Sequence, residues 1–534
     1  MLARRTVVNT PRTGRSTLLV AIGILLSRIA GLIRDRVFAH YFGNSDAADA
    51  FRAAFRIPNL LQNLFGEAVL SASFIPVYAR FLAHEDEAEA GRMAGAVVTL
   101  LACVVSLLVL VGVFTTPYLI DAIVPGFVGE KRDLTIRLVK ILFPGAGLLV
   151  FSAWCLGILN SHGRFFLSYA APVLWNAAMI VTLIGFGGSA EQFPLAEILA
   201  WGAVAGSALQ VGIQLPAVLR LVKNLRLSLN MAVPGVRTVT RNFVPVFIGR
   251  GVVQISAYVD TLLASLLPTG AVAALTYAQT LYILPLSLFG MSVSAAELPA
   301  MSSASGSQQE VAAYLRRHLD DGLQRVAFFI VPSAVAFLAL GDVVAAAVYQ
   351  SGRFTHGDAV YVWAILAGAA VGLLASTLGR LYASAYYALH DTRTPLYFAV
   401  VRIVLGTSLG YLGAISLPVA LGIDARWGVS GLTVASSLAG WVEFALLRNT
   451  LNRRIGHTGL PRSLVAKLCI AAAAGASVAW AIKLVLSQQH PILVAAAILI
   501  PYGCIYFGVS IWWKVLVSQA IIRGLARVVG KATD

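Results

Sequence analysis

The sequence predicts an all-α polytopic membrane protein of about 14 transmembrane helices, arranged as two six-helix lobes in parallel repeat plus two C-terminal helices. Three observations carry that prediction. Of 534 residues, 58% are hydrophobic and only 12% charged, against roughly a quarter charged in soluble domains. Mean hydropathy is +0.81 over the whole chain, so apolar character is not confined to one anchor. Apolar stretches of about 20 residues, the length that crosses hydrocarbon, recur between short polar or Gly/Pro-rich connections. A water-soluble globule is excluded.

The stretches centre, in order, near Leu26, Leu70, Leu107, Leu149, Ile180, Ala205, Val253, Leu288, Val331, Leu366, Leu405, Leu438, Ala474 and Ile505. Ahead of the first lies a basic tail with Arg4, Arg5, Arg12 and Arg15. The apolar run that follows reaches Arg28 and Arg34 without a small-residue cleavage site, so the tail reads as cytoplasmic and not as a signal peptide. Polar segments at His84 to Glu89, Arg220 to Arg241, Ser302 to Glu310 and Arg448 to Lys467 read as loops. An even span count puts both termini on one side, and Lys and Arg are retained on the cytoplasmic face. The connections between spans six and seven and between twelve and thirteen are strongly basic and fall inside on that count, whereas Lys131 and Arg132 lie on the outer side as exceptions. The net charge of +16 therefore reads as topology and affinity for anionic headgroups, with no motif for nucleic acid. The expected location is a bacterial cytoplasmic (inner) membrane with both termini cytoplasmic.

Punctuation repeats along the chain. Pro58, Leu64-Phe65-Gly66 and Pro76 are echoed by Pro285, Leu288-Phe289-Gly290 and Pro299, an offset of about 225 residues that signals two homologous halves. Six helices per repeat give the halves one orientation, the arrangement of parallel repeats that work by alternating access. The expected division is 1–232 for the N-terminal lobe with its tail, 233–458 for the C-terminal lobe, and 459–534 for the last two helices and a cytoplasmic tail. His162 and His390 fall in equivalent turns and read as solvated loop residues.

Charges within spans are expensive and mark function by default. Arg28 and Arg34 interrupt the first span about 240° apart on the helical wheel, with Gly31 between them as a place to bend. Asp35 and Arg36 follow, and Arg34 to Arg36 also fit a snorkelling interface. Asp49, Arg52 and Arg56 share one helical face, on which Asp49 is able to pair with Arg52. Glu67 sits among Asn59, Gln62, Asn63, Ser71 and Ser73. The second half places Arg250 and Asp260 in span seven, Glu297 in span eight, Arg380 in span ten and Arg402 in span eleven. Asp260 and Glu297 are open to three readings: binding a coupling cation, neutralising an arginine, or lying at an interface. Cys103, Cys155, Cys469 and Cys504 stand singly, which argues against a metal site or a disulfide framework. No phosphate loop, HExxH or GxSxG motif is present, so no cofactor and no enzymatic chemistry are expected.

These residues resemble a known family. Ser27-Arg28-Ile29-Ala30-Gly31-Leu32-Ile33-Arg34-Asp35, Asp49-Ala50-Phe51, Ala54-Phe55-Arg56-Ile57-Pro58-Asn59 and Ser73-Phe74-Ile75-Pro76 are similar to the N-terminal signature of the MurJ (MviN) family of lipid II flippases. Further matches include Ala170-Ala171-Pro172 with Asn176, Gln254-Ile255 with Asp260-Thr261, Gly352-Arg353-Phe354-Thr355 and His390-Asp391-Thr392-Arg393-Thr394-Pro395. The resemblance implies the fourteen-helix fold of the multidrug/oligosaccharidyl-lipid/polysaccharide exporter superfamily. It also implies transfer of lipid II, an undecaprenyl-pyrophosphate-linked peptidoglycan precursor, from the inner to the outer leaflet. It assigns the required basic residues to Arg28 and Arg34 and their acidic partner to Asp49. Two family arginines are replaced here, by Gln62 and by Thr280. Either Arg52, Arg250 or Arg380 compensates, or the cargo differs. The expected binding set is Arg28, Arg34, Asp49, Arg52, Arg56, Gln62, Glu67, Arg250 and Arg380. Expected partners are lipid II or a related polyprenyl-pyrophosphate glycolipid, membrane lipids and the cell-wall synthesis machinery. Two rival readings stand beside the flippase: a non-transporting membrane scaffold, and an ion-coupled exporter of amphiphiles with Asp260 and Glu297 as coupling residues.

Overall fold

A computed structural model describes residues 12–304, 306–486, 490–515, 517 and 519. Among them the structure is helical with no named strand. The helices are α1 (Arg12–Phe42), α2 (Asp46–Phe65), α3 (Glu67–Ser73), α4 (Ile75–Ala83), α5 (Glu87–Ile123), α6 (Gly129–Ser161), α7 (Phe165–Phe186), α8 (Gln192–Leu221) and α9 (Val236–Ser265). They continue with α10 (Ala271–Pro285), α11 (Ser292–Ser302), α12 (Gln308–Tyr349), α13 (His356–Ala370), α14 (Leu373–Ala388), α15 (Arg393–Tyr411), α16 (Leu417–Leu421), α17 (Gly428–Ile455), α18 (Arg462–Val485) and α19 (Pro491–Trp512). Wider π turns at Leu286–Met291 and Leu412–Ser416 join α10 to α11 and α15 to α16.

Among the described residues, 11 helices or helix runs are long and apolar enough to cross a membrane, or up to 12 when α13 and α14, bent by 42°, count as one span. The chain is thus a multi-pass membrane protein. Helices α1 and α9, 31 and 30 residues long, lie outside that count. Every predicted span centre nevertheless falls on a helical segment. The basic segment predicted as a loop from Arg448 to Lys467 is mostly helix: α17 runs to Ile455 and α18 starts at Arg462. Arg453 and Arg454 occupy the last turn of α17, where cations complement the helix dipole. The tail from Met1 to Pro11 lies outside the described residues.

The chain divides into two compact units, Met1–Leu262 and Leu263–Asp534, with the boundary inside α9. In the first unit α6 is central, packing on α2, α5 and α8, while α7 packs on α1 and α8. Its core joins Phe74, Met93, Val150, Trp154 and Ile158 with Val218. A buried polar link crosses it: the Gln210 amide donates to the Ser152 hydroxyl at 2.8 Å, and that hydroxyl donates to the Gln214 carbonyl oxygen at 2.7 Å. Such interhelical hydrogen bonds lock helix pairs where no water is at hand. The run α2–α3–α4 is broken at Gly66, whose backbone is extended (φ −85°, ψ −153°). A Cβ there would collide with the Gln62 carbonyl oxygen, so the break depends on glycine.

In the second unit α17 packs on α13, α14 and α15, and α12 on α13, α14 and α18. The last two helices, α18 and α19, pack on each other and on α12. Leu107, Phe114, Val181 and Val419 are among many large apolar residues left exposed, as a hydrocarbon surround requires.

The turns after α6 and α14 share one backbone geometry. Arg164 N–H donates to Leu159 O at 2.8 Å, and Asp391 N–H donates to Tyr386 O at 2.9 Å. The left-handed residues are Gly163 (φ +71°) and His390 (φ +58°), so His390 occupies the position that glycine fills in the first half. His162 instead accepts or donates at the Tyr78 phenol, 3.0 Å away, and burial pulls its imidazole below the usual pKa.

Candidate functional site

The turn 43–45 brings α1 and α2 together, with the Ser45 hydroxyl accepting from Ala48 N–H at 3.2 Å to cap α2. Residues at matching distances from that turn therefore meet. At 1.5 Å per residue, Arg34 lies about 12 Å from the end of α1 and Arg52 about 9 Å from the start of α2. Between them sits Asp35, 4% exposed. Its Oδ1 accepts from Arg34 Nη2 at 3.0 Å and from Arg52 Nη1 at 3.1 Å. Aromatic faces complete the lining: the Arg34 guanidinium stands 5.1 Å from the Trp175 ring and that of Arg52 4.3 Å from Phe38, within cation–π range.

One turn along α2, Arg56 donates to the Thr261 hydroxyl and its own carbonyl accepts from the Tyr258 phenol at 2.9 Å. The charge of Asp260 also acts on this guanidinium. Arg28 is an exposed residue of α1. Helix α1 continues without interruption through Gly31, whose bare side faces Asn176 Oδ1 on α7 at 4.0 Å. Gly31 serves close packing and introduces no break.

Asp49, expected to be able to pair with Arg52, has an ion partner on α6. Its carboxylate, 1% exposed, accepts from Lys131 Nζ at 2.7 Å, and Lys131 also reaches Asp46 at 2.9 Å. The two side chains share a helical face, but α2 lies between neighbours that offer each a better partner, Asp35 on α1 and Lys131 on α6. The same contacts explain the two basic exceptions to the positive-inside pattern. Lys131 is neutralised by Asp46 and Asp49, and Arg132 forms a two-pronged pair with Asp121 at 2.7 and 2.9 Å.

The remaining expected residues are dispersed. Gln62 is half-buried in the last turn of α2, and exposed Glu67 opens α3, its charge reaching the Tyr169 phenol. Thr280 donates to Thr276 O at 3.0 Å. Arg250 lies on α9, with its side chain outside the described residues. In the second unit, exposed Arg380 neighbours Tyr282, Tyr387, Arg402 and Glu443. Glu297 is clasped by His318 Nδ1 at 2.9 Å and Arg325 Nη1 at 3.0 Å. The residues that sequence reasoning missed are Lys131, Trp175, His318, Arg325, Tyr282 and Glu443. Equal distance from a short turn was a readable signal for Arg34 with Arg52, but Lys131 and Trp175 needed the tertiary packing of α6 and α7.

Chemically, the first unit gathers guanidiniums held by one shared carboxylate and by aromatic faces. A guanidinium fork suits phosphate or carboxylate oxygens. Among the described residues no group of His, Cys, Asp and Glu is arranged to hold a metal ion.

The family model described as lipid II flippase MurJ matches residues 38–500. A probable lipid II flippase MurJ of Rhizobium tropici is 31% identical over 475 residues, covering 88% of this chain and 86% of that protein. One from Rhizobium meliloti (strain 1021) is 29% identical over 521 residues, covering 93% and 94%. Among solved structures, a lipid II flippase MurJ in an inward closed conformation superposes with a TM-score of 0.76 at 24% identity, covering 94% of this chain and all of that one. An inward-facing multidrug resistance MATE family transporter of the MOP superfamily gives 0.63 at 17% identity, covering 83% and 100%. A family match over most of its length, a relative at 31% identity and a shared fold establish together that this chain belongs to the MurJ family.

Proposed function

We propose that this chain flips lipid II from the inner to the outer leaflet of a bacterial cytoplasmic membrane, supplying peptidoglycan synthesis on the outer side. The observation that carries this reading is the Arg34–Asp35–Arg52 cluster on the first two long helices, in a chain of the MurJ family. A diphosphate offers several oxygens to such forks, while the polyprenyl tail stays among apolar surfaces such as those exposed on α5 and α7. Arg56, one turn further along α2, extends the polar lining, and Asp49 with Lys131 fixes α2 against α6. Transport proceeds by alternating access, with no covalent step and with both termini cytoplasmic. Gln62 and Thr280 shift the burden of binding onto Arg34, Arg52 and Arg56.

The ion-coupled exporter reading loses support from Glu297, whose two oxygens are already taken by His318 and Arg325. The scaffold reading draws on Gln62 and Thr280. Complementation separates it from the flippase: the gene is expressed in a strain depleted of its own lipid II flippase. Rescue by the wild type and failure of a folded R28A or R34A protein supports transport. Equal performance of wild type and variants, or failure of the folded wild type, rejects it.

A further inference from the structure

The second unit carries a charge cluster that the diphosphate reading does not use. Helices α14 and α15 are joined by the short turn 389–392. Counted from that turn at 1.5 Å per residue, Arg380 on α14 lies about 12 Å deep and Arg402 on α15 about 13 Å deep. Both thus lie two turns or more inside their helices, away from the turn. Glu443 on α17 is the acid beside them. It meets Arg402 Nε at 3.4 Å, longer than a close charge-assisted hydrogen bond. Arg380 forms no ion pair within 4 Å among the described residues, although the charges of Arg402 and Glu443 both reach it.

The surroundings are built. The Tyr282 phenol on α10 neighbours the Ser376 side chain, one turn before Arg380 on the same face of α14. Tyr387, 47% exposed, flanks the guanidinium. Snorkelling carries a cation to the interface from near a helix end, but this one is set among groups from α10, α15 and α17. Two guanidiniums against one carboxylate leave a net positive charge where an unbalanced charge is costly.

We propose that Arg380, Arg402 and Tyr282 form an oxyanion-binding subsite within the second unit, which takes a phosphate or carboxylate carried by an amphiphile. Glu443 is its resident competitor: it holds Arg402 when the subsite is empty and yields when an oxyanion enters. That an oxyanion binds stands on this cluster alone, whereas its being a group of the transported lipid rests on the function proposed above.

The test is native mass spectrometry of the purified full chain with three probes: phosphatidylglycerol, lipid II, and lipid II with its peptide carboxylates amidated. R380Q and R402Q are each expected to weaken retention of at least one probe about tenfold or more, the loss of a charge-assisted hydrogen bond. E443Q is expected to strengthen retention of that same probe. Loss confined to unmodified lipid II identifies a peptide carboxylate as the bound group, and loss across all three identifies a phosphate. Wild-type retention of every probe by both arginine variants overturns the proposal, as does weaker retention by E443Q, which also judges the case should the arginine variants misfold. Arg380-dependent retention of phosphatidylglycerol with no retention of lipid II sinks the proposed cargo and leaves the subsite. Lipid II retention that falls with R34Q and not with R380Q or R402Q does the reverse.

Discussion

The Tyr506 phenol donates a hydrogen bond of 2.5 Å to the backbone carbonyl of Phe328, the acceptor that Pro332, four residues further along α12, has no N–H to reach. A proline inside a membrane helix leaves such a carbonyl without its intrahelical partner, and a neighbouring helix here supplies one. Tyr502 adds a bond of 2.6 Å to Pro332 O. The α18–α19 pair is thus fastened to α12 at a helix defect. Replacing Tyr506 with Phe is expected to destabilise the protein by about 1–3 kcal/mol, the penalty of an unsatisfied buried acceptor. In a P332A background, where the N–H is restored, the same change should be nearly neutral. A double-mutant cycle on thermal unfolding in detergent measures the difference, and equal effects in both backgrounds would remove the explanation.

His390 holds a left-handed conformation that Gly163 adopts freely in the equivalent turn. H390G is expected to raise stability by up to about 1 kcal/mol by removing the Cβ clash. G163A is expected to lower it by a similar amount. Thermal shift of the two single variants checks both signs.

Asp391 begins α15 by accepting from Arg393 N–H, Thr394 N–H and the Thr394 hydroxyl at 3.1, 3.0 and 2.7 Å, and it pairs with Arg454 at 2.6 Å. The Thr394 backbone bond is the largest of the influences that hold its pKa down to about 2, from an ordinary 3.8. The folded state therefore binds the proton more weakly than the unfolded one. The resulting stability is fully present above about pH 4 and is lost as pH falls toward 2. D391N should be less stable near neutrality and should lack this part of the acid dependence. Unfolding midpoints of wild type and D391N measured from pH 6 down to pH 2.5 should converge, and parallel curves would contradict the assignment.

Lys131 bridges two carboxylates, Asp46 and Asp49, of which Asp49 is buried. K131M should therefore take a close cation from a buried acid and destabilise by about 3–5 kcal/mol. Adding D49N should recover most of that loss. Thermal unfolding of the single and double variants tests the coupling, and additive effects would show that the pair is not a unit.

Arg34 and Arg52 act through planar forks on one carboxylate, so lysine in either place keeps charge and loses geometry. R34K and R52K are expected to fold but to lower transport of lipid II about tenfold or more in a reconstituted leaflet-exchange assay. Wild-type exchange rates in both would show that charge alone suffices.

Much of the architecture was readable because hydrocarbon imposes a length and a composition: each expected span centre, from Leu26 to Ile505, lies on a helix. The repeat was also visible in Pro58 and Pro285, and the structure sharpened it by matching Gly163, not His162, with His390. Pairings were less legible. Helical period assigns Asp49 and Arg52 to one face but does not say which neighbour that face meets, and each side chain found a partner on another helix. Asp35 looked like part of an interfacial run, yet it is 4% exposed, because the turn at 43–45 folds α2 back over it. Arg448 to Lys467 misled by composition, since basic residues close a helix as readily as they fill a loop.

A carrier must release what it holds, and Asp35 bears on that requirement. With the Asp35 carboxylate already seated between Arg34 and Arg52, the function proposed above would have an arriving diphosphate trade places with an anion in residence instead of meeting bare cations. Departure would then be eased by the same acid closing behind it. On that proposal affinity is sacrificed to turnover, and the site resets itself without waiting for ions from the surrounding water.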